Sequence, residues 1–269
     1  MKWSIDVSGY DGRRYQFPTG YIYDLPMDWT RARDVGGLSL AIIKSSEGTG
    51  HTDGAFRMQW AAAKGILPRL AYHFFRANLD AVRQAQFVKN LLAYDFDPRN
   101  DYIAMDFETM DGMTGPEVLA AGRAFLYEIE KMGTLPFIYS GWTWRDIGGE
   151  TLAGAWGKKY PLWLASWPLD NWIANTAIQL PPYLFNAEKL ADFKNKIATG
   201  VIKPNVPKPW TSPAIWQFTS RAEAKAIPGH PAVKSSVDYD AVFMDLPGLV
   251  NPPTHPATCP TCGQIWPIT

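Results

Sequence analysis

Tyr102-Ile103-Ala104-Met105-Asp106-Phe107-Glu108 is an apolar run that closes on two carboxylates. Side chains on a strand alternate faces. Asp106 and Glu108 therefore point one way, while Met105 and Phe107 point the other, toward a helix layer. Working outward, short apolar, β-branched or aromatic runs alternate with helical patterns from the first residue to about Gly148, which marks βα units and a parallel sheet. Strands are expected near residues 3–8, 39–45, 69–75, 101–108, 135–140, 161–167, 213–219 and 237–243. Helices are expected over 53–65, opened by Thr52-Asp53; over 79–94, opened by Asn78 and Asp80; and over 115–132, with Thr114 as cap, Pro116 in the first turn and Gly133 as stop.

After the fifth strand the helices thin out. One short helix is expected over 142–148, and residues 168–212 read as a long Pro-, Asn- and Trp-containing insertion with a helical piece near 187–198. The last two strands follow without full helices. The fold class is thus α/β, an irregular TIM-like (β/α) barrel with about eight strands and fewer than eight helices. Residues 1–246 form the barrel domain, and 247–269 form a Pro-rich tail.

Composition agrees with one core. The 269 residues lie close to the ~250 typical of such barrels. Lys+Arg and Asp+Glu balance at 26 each, so no excess charge steers the molecule toward nucleic acid, and none is expected as a partner. The bias is aromatic, with 12 Trp, 12 Tyr and 13 Phe; most rings belong in the core, but exposed ones offer flat faces to sugar rings. Cys259 and Cys262 lie in the tail and cannot staple the body. With His255 they offer only three zinc ligands where a closed site wants four, so no metal is expected, and a chain ending near Pro247 should keep its fold.

In a parallel barrel the site sits where strands finish, which directs attention to Asp6, Asp106, Glu108 and Asp238. Like charges as close as Asp106 and Glu108 cannot both ionise cheaply, and one should hold its proton toward neutral pH, ready to act as a general acid. The alternative is that Asp106 caps the following loop and Glu108 is a solvated strand-end acid.

Eight segments in chain order resemble family 25 of the glycoside hydrolases, the Chalaropsis-type lysozymes, over roughly residues 3–245. They are Ile5-Asp6-Val7-Ser8 with Gly12, Ile43-Lys44-Ser45-Ser46-Glu47-Gly48, Ala71-Tyr72-His73-Phe74, Met105-Asp106-Phe107-Glu108, Ile138-Tyr139-Ser140, Leu162-Trp163-Leu164-Ala165, Trp216-Gln217-Phe218 and Val237-Asp238. The resemblance implies Glu108 as proton donor, with Asp6, Asp106 and Asp238 completing an acidic floor. It also implies bacterial peptidoglycan glycan strands as the partner, cut between N-acetylmuramic acid and N-acetylglucosamine, with no cofactor. The 168–212 insertion departs from the family pattern.

Tyr139 and Trp167, nearest their strand ends, are candidates for sugar stacking, with a core role as the alternative for each. Tyr72 and Trp163 join them as candidate substrate contacts, and the Trp-Gln resemblance suggests Gln217 as a hydrogen-bonding one. His73, inside an apolar strand, reads as a hydrogen-bonded core residue rather than a metal ligand. Ser8, Ser140 and Ser166 have no His placed to activate them. Two other readings stay open: a chitinase-like hydrolase, although Tyr102 stands where the longer Asp-x-x-Asp-x-Asp-x-Glu pattern needs an acid, and a wall-binding module without turnover.

Residues two apart on one strand have Cα atoms about 6.5–7 Å apart, and their parallel side chains flank a scissile bond poorly. Attack by the substrate's own 2-acetamido group, with retention of configuration, is therefore expected; the resemblance points the same way. Met1-Lys2 leads straight into Trp3-Ser4-Ile5-Asp6 without the apolar run of a secretory signal. The expectation is a monomer acting on the bacterial wall without membrane insertion, either a phage-type lysin made in a host cytoplasm or a protein exported by another route. Trp172 and Tyr183 of the insertion are expected to line the glycan groove.

Overall fold

The computed structural model describes residues 1–16, 18, 20–168, 185–232, 234 and 236–245. In chain order the strands are β1 (Lys2–Val7), β2 (Arg13–Gln16), β3 (Gly20–Tyr23), β4 (Leu38–Glu47), β5 (His51–Thr52), β6 (Arg69–Phe74), β7 (Asp101–Asp106), β8 (Phe137–Ser140), β9 (Leu162–Ala165), β10 (Ile215–Glu223) and β11 (Ser236–Val242). The ring runs β1-β4-β6-β7-β8-β9-β10-β11 and closes from β11 back to β1, so eight strands make a barrel. β5 extends β4 as a short edge, and β2 and β3 form a separate antiparallel hairpin.

Seven of the ring strands run parallel. β11 is antiparallel to both β10 and β1. This corrects the reading of Asp238 as a residue at the finish of a last parallel strand: it stands near the start of a strand that runs down the barrel. The start of a reversed strand lies on the rim where its neighbours end, and Asp238 pairs directly with Asp6. The expectation for the site survives for a different topological reason.

The helices are α1 (Trp29–Asp34), α2 (Phe56–Ala63), α3 (Ala81–Leu92), α4 (Gly115–Glu130), α5 (Trp142–Asp146), α6 (Gly149–Leu152), α7 (Gly154–Lys159) and α8 (Ala187–Ala198). The described residues thus hold eight α-helices rather than fewer than eight, but four of them are six residues or shorter. Caps fix the long ones. The Asp80 side chain accepts from the Arg83 N–H, and the Glu117 carboxylate reaches back to both the N–H and the hydroxyl of Thr114.

Two apolar layers follow from strand alternation. Leu40, Ile42, Leu70, Tyr72, Tyr102, Ala104, Phe137, Tyr139 and Trp163 fill the barrel, whereas Met105, Phe107, Ile138, Leu164 and Trp216 pack outward against the helices. Leu190, Phe193 and Ile197 of α8 are buried in that outer layer, with Phe193 stacked on Phe218. The described part of the insertion is therefore built into the body: an amphipathic helix supplies the cover that β10 needs. Trp172, Tyr183, His255, Cys259, Cys262 and the tail fall outside the described residues. No helix among the described residues is long and apolar enough to cross a membrane.

Candidate active site

The β7 backbone holds Glu108 from four directions. The Phe75 N–H donates to the Asp106 carbonyl at 3.0 Å and the Phe107 N–H to the Tyr139 carbonyl at 2.8 Å. The Ser140 hydroxyl donates to the Phe107 carbonyl at 2.9 Å and the Thr143 hydroxyl to the Glu108 carbonyl at 3.1 Å. Phe107, turned outward, locks between Phe75 and Trp144. Gly122 of α4 lies against its ring, where a Cβ would come within 2.9 Å. Such anchoring fixes a reacting group in a cleft that has no flexible support of its own.

Above this floor opens a cleft of about 240 Å³ lined by Asp6, Tyr72, Asp106, Glu108, Tyr139, Trp163, Trp167, Gln217, Ser220 and Asp238. All nine candidate residues named from sequence meet there. Asp106 is buried and Glu108 half-buried. Burial, and next the repulsion of Glu108, push Asp106 well above the usual carboxylate range, and burial raises Glu108 as well. The two carboxyls lie within hydrogen-bonding reach, and burial together with their mutual repulsion works against ionising both. Asp106 Oδ1 has no hydrogen-bond partner among the described residues, although it is buried.

On the opposite wall Gln217 organises a network. Its Oε1 accepts from the Tyr139 hydroxyl and from Trp167 Nε1, both at 2.8 Å, and its Nε2 donates to Asp6 at 2.7 Å. With its carbonyl doubly occupied, Gln217 positions Asp6, Tyr139 and Trp167. Burial, then Asp238 and Asp240, raise Asp6 well above its ordinary value. Trp167 is 37% exposed and offers an open ring, but Trp163 is 1% exposed and packs on Tyr139 and Tyr72. A ring so covered is better placed to support the cleft than to stack on a sugar.

Sequence reasoning passed over Ser220, Asp240 and the two nearby lysines. Asp240 lies inside the barrel, accepting from Trp163 Nε1 at 2.8 Å, and burial pushes it up to about 8. Lys234, at 2.8 Å from buried Asp11, keeps its charge raised against burial with help from Asp11, Asp238 and Asp6. Lys44 lowers both Asp106 and Glu108. His73 is a core residue: its Nδ1 meets Ser46 Oγ at 2.8 Å, its Nε2 meets Gln84 Oε1 at 3.2 Å, and burial lowers it to about 4. Among the described residues no group of three or more His, Cys, Asp or Glu side chains could hold a metal.

These shifts set a sign for stability. A carboxyl raised in the folded state binds its proton when the unfolded chain has already released it, so its contribution is complete below the unfolded value near 4 and is lost as pH rises through the folded value. His73, lowered by folding, acts in the opposite sense but only below about pH 6.5. Between pH 6.5 and 8.5 the melting temperature should therefore fall. Asp240→Asn, which cannot ionise, should flatten that slope by on the order of 1–2 kcal/mol. Calorimetric melts of both proteins across this range provide the check, and parallel slopes would show that Asp240 ionises as readily as an exposed acid.

The sequence model of the glycosyl hydrolases family 25 matches residues 5–227. No curated protein matches the chain in sequence. Among solved structures, the bacterial lysozyme from Streptomyces coelicolor is similar with a TM-score of 0.65 and 20% identity, over 93% of this chain and 97% of that one. A family GH25 lysozyme from Aspergillus fumigatus gives 0.61 and 19%, over 93% and 98%. The catalytic domain of an endolysin from bacteriophage P40 of Listeria monocytogenes gives 0.59 and 17%, over 92% and 96%. At such identities the likeness is one of fold.

Proposed function

The chain belongs to glycosyl hydrolase family 25, and on that premise we propose a lysozyme that hydrolyses the β-1,4 bond between N-acetylmuramic acid and N-acetylglucosamine in bacterial peptidoglycan, with Glu108 as its acid. The observation that carries the assignment of residues is the convergence of Asp6, Asp106, Glu108 and Asp238 on one cleft with open Trp167 at its edge. A binding module gains nothing from four repelling carboxylates held together, whereas a glycosidase needs a proton held near neutral pH beside a negative charge.

An Asp106–Glu108 pair that resists ionising both members suggests the order of events. An acetamido N–H arriving at Asp106 would meet its unpartnered Oδ1, favour the carboxylate there and leave the proton on Glu108, which delivers it to the leaving oxygen. The acetamido oxygen then attacks the anomeric carbon, ionised Asp106 steadies the positive ring, and water opens that ring with Glu108 as base. Asp6, held by Gln217, and Asp238 keep the floor's geometry and charge.

Mass analysis of wall fragments after digestion tests this reading, since it reports the bond and the reducing-end sugar together. Fragments ending in reducing N-acetylmuramic acid are expected. Reducing N-acetylglucosamine ends, or chitobiose released from chitin in preference, would favour the chitinase-like alternative. Trp167→Ala should raise KM by about three- to tenfold while leaving kcat within about twofold, as expected of a stacking face. Steady-state kinetics on soluble glycan fragments would show it, and an unchanged KM would remove Trp167 from the substrate path.

A further inference from the structure

The β2–β3 hairpin rises from the loop that leaves β1 just after Asp6, on the barrel end where β1, β4 and β7 all finish. Its register pairs Arg13 with Tyr23 and Tyr15 with Tyr21, so these four side chains share one face. That face is left to solvent: Tyr15 is 63% and Tyr21 53% exposed, and Tyr10 beside them is 62% exposed. The root is fixed. Tyr23 packs so tightly over Gly54 that a Cβ there would come within 2.4 Å of its ring, and the Gly9 N–H donates to Asp53 at 2.9 Å. On the other face Arg14 pairs with Asp24.

Arg13 is held differently. Its guanidinium stacks 4.0 Å from the Tyr10 ring and 4.0 Å from the Tyr21 ring, and among the described residues no carboxylate pairs with it. Two rings packed against a guanidinium restrict its movement, and with no carboxylate taking up its N–H groups it can meet an anion. Exposed Tyr10, Tyr15 and Tyr21 on a braced hairpin, with the uncompensated, half-buried Arg13 among them, suit a ligand that is part apolar and carries a planar negative group.

We infer that this hairpin binds the carboxylates of the peptide stems attached to the wall glycan, so that the enzyme prefers stem-bearing strands to bare ones. The inference rests on the wall substrate proposed above. Glu108 and the Tyr10–Arg13–Tyr21 group stand at the same end of the barrel, the end along which the glycan would run.

The test compares three substrates, all freed of phosphate-bearing polymers: glycan with intact stems, glycan with stem carboxylates converted to amides, and glycan stripped of stems. Arg13→Ala should lower kcat/KM about fivefold on intact stems, the scale of one charge pair braced by aromatic rings, and leave the other two substrates unchanged. Arg13→Lys should recover part of the loss, and melting temperatures should match the parent. Co-sedimentation of the full chain with insoluble, phosphate-free walls supplies a reading that needs no turnover: the Glu108→Gln protein should bind more tightly than Glu108→Gln combined with Arg13→Ala, and added salt should narrow the gap. An equal fall on all three substrates, no fall on any, or an Arg13 effect seen only on walls that retain phosphate polymers would overturn the stem assignment. A parent protein that cuts no wall at all would instead fail the proposed function, and the binding comparison would still decide the hairpin.

Discussion

Glu108→Gln should lose turnover by about a thousandfold to ten-thousandfold, the range for removing a general acid from a glycosidic reaction. The amide keeps the shape of the side chain, and the hydrogen bonds that hold residue 108 run through its carbonyl and its neighbours' backbone, so the fold should be untouched. Stability should rise slightly at neutral pH, because a half-buried carboxyl whose pKa is raised is replaced by a group that never ionises. Binding of wall fragments should persist. The parent enzyme should lose activity on the alkaline side as the last proton leaves the Asp106–Glu108 pair, and because burial raises both groups that limb should lie well above the ordinary range for Glu. Turbidity loss of a wall suspension, read across pH beside a melting curve, tests all of this. A Glu108→Gln protein that clears the suspension at the parent rate would remove the residue from the chemistry.

How far the sequence carried depends on what strand alternation can encode. It placed Asp106 and Glu108 on one side and Phe107 on the other, and the barrel has that arrangement because period two is a property of the chain alone. Period two is blind to direction, which is why β11 looked like one more parallel strand until its pairing was seen. It is also blind to depth: Trp163 faces the interior as expected, but it is almost fully covered and its ring nitrogen donates to Asp240. The β2–β3 hairpin was not foreseen although Arg13-Arg14-Tyr15 and Tyr21-Ile22-Tyr23 alternate either side of Pro18 and Gly20; strands this short carry little apolar signal beside the long parallel ones. Gln217 had a signal only through resemblance, since its hydrogen bonds join β1, β8, β10 and the end of β9, a contact set with no local sequence pattern.

Asp106→Asn is expected to cost about a hundredfold in kcat, less than Glu108→Gln, and its pattern separates two mechanisms. If Asp106 were a nucleophile forming a bond to the sugar, the amide would abolish turnover as fully as loss of the acid. If it orients an acetamido group and offsets positive charge, Asn still accepts the amide N–H and loses only the charge. Geometry favours the second. Asp106 and Glu108 leave one strand side by side, whereas nucleophile and acid must stand on opposite sides of the scissile bond. The other acids of the cleft, Asp6 and Asp238, stand on neighbouring strands β1 and β11 and pair directly with each other; Asp6 accepts from Gln217 Nε2 and is raised by burial, which makes it a weaker attacking group. The proposed nucleophile is the acetamido oxygen of the substrate, and attack by it followed by water inverts the anomeric carbon twice. Freshly released product should be the β anomer by NMR before mutarotation, from the parent and from Asp106→Asn alike. Appearance of the α anomer first would exclude the acetamido route, and an Asp106→Asn protein as inactive as Glu108→Gln would return Asp106 to the role of nucleophile.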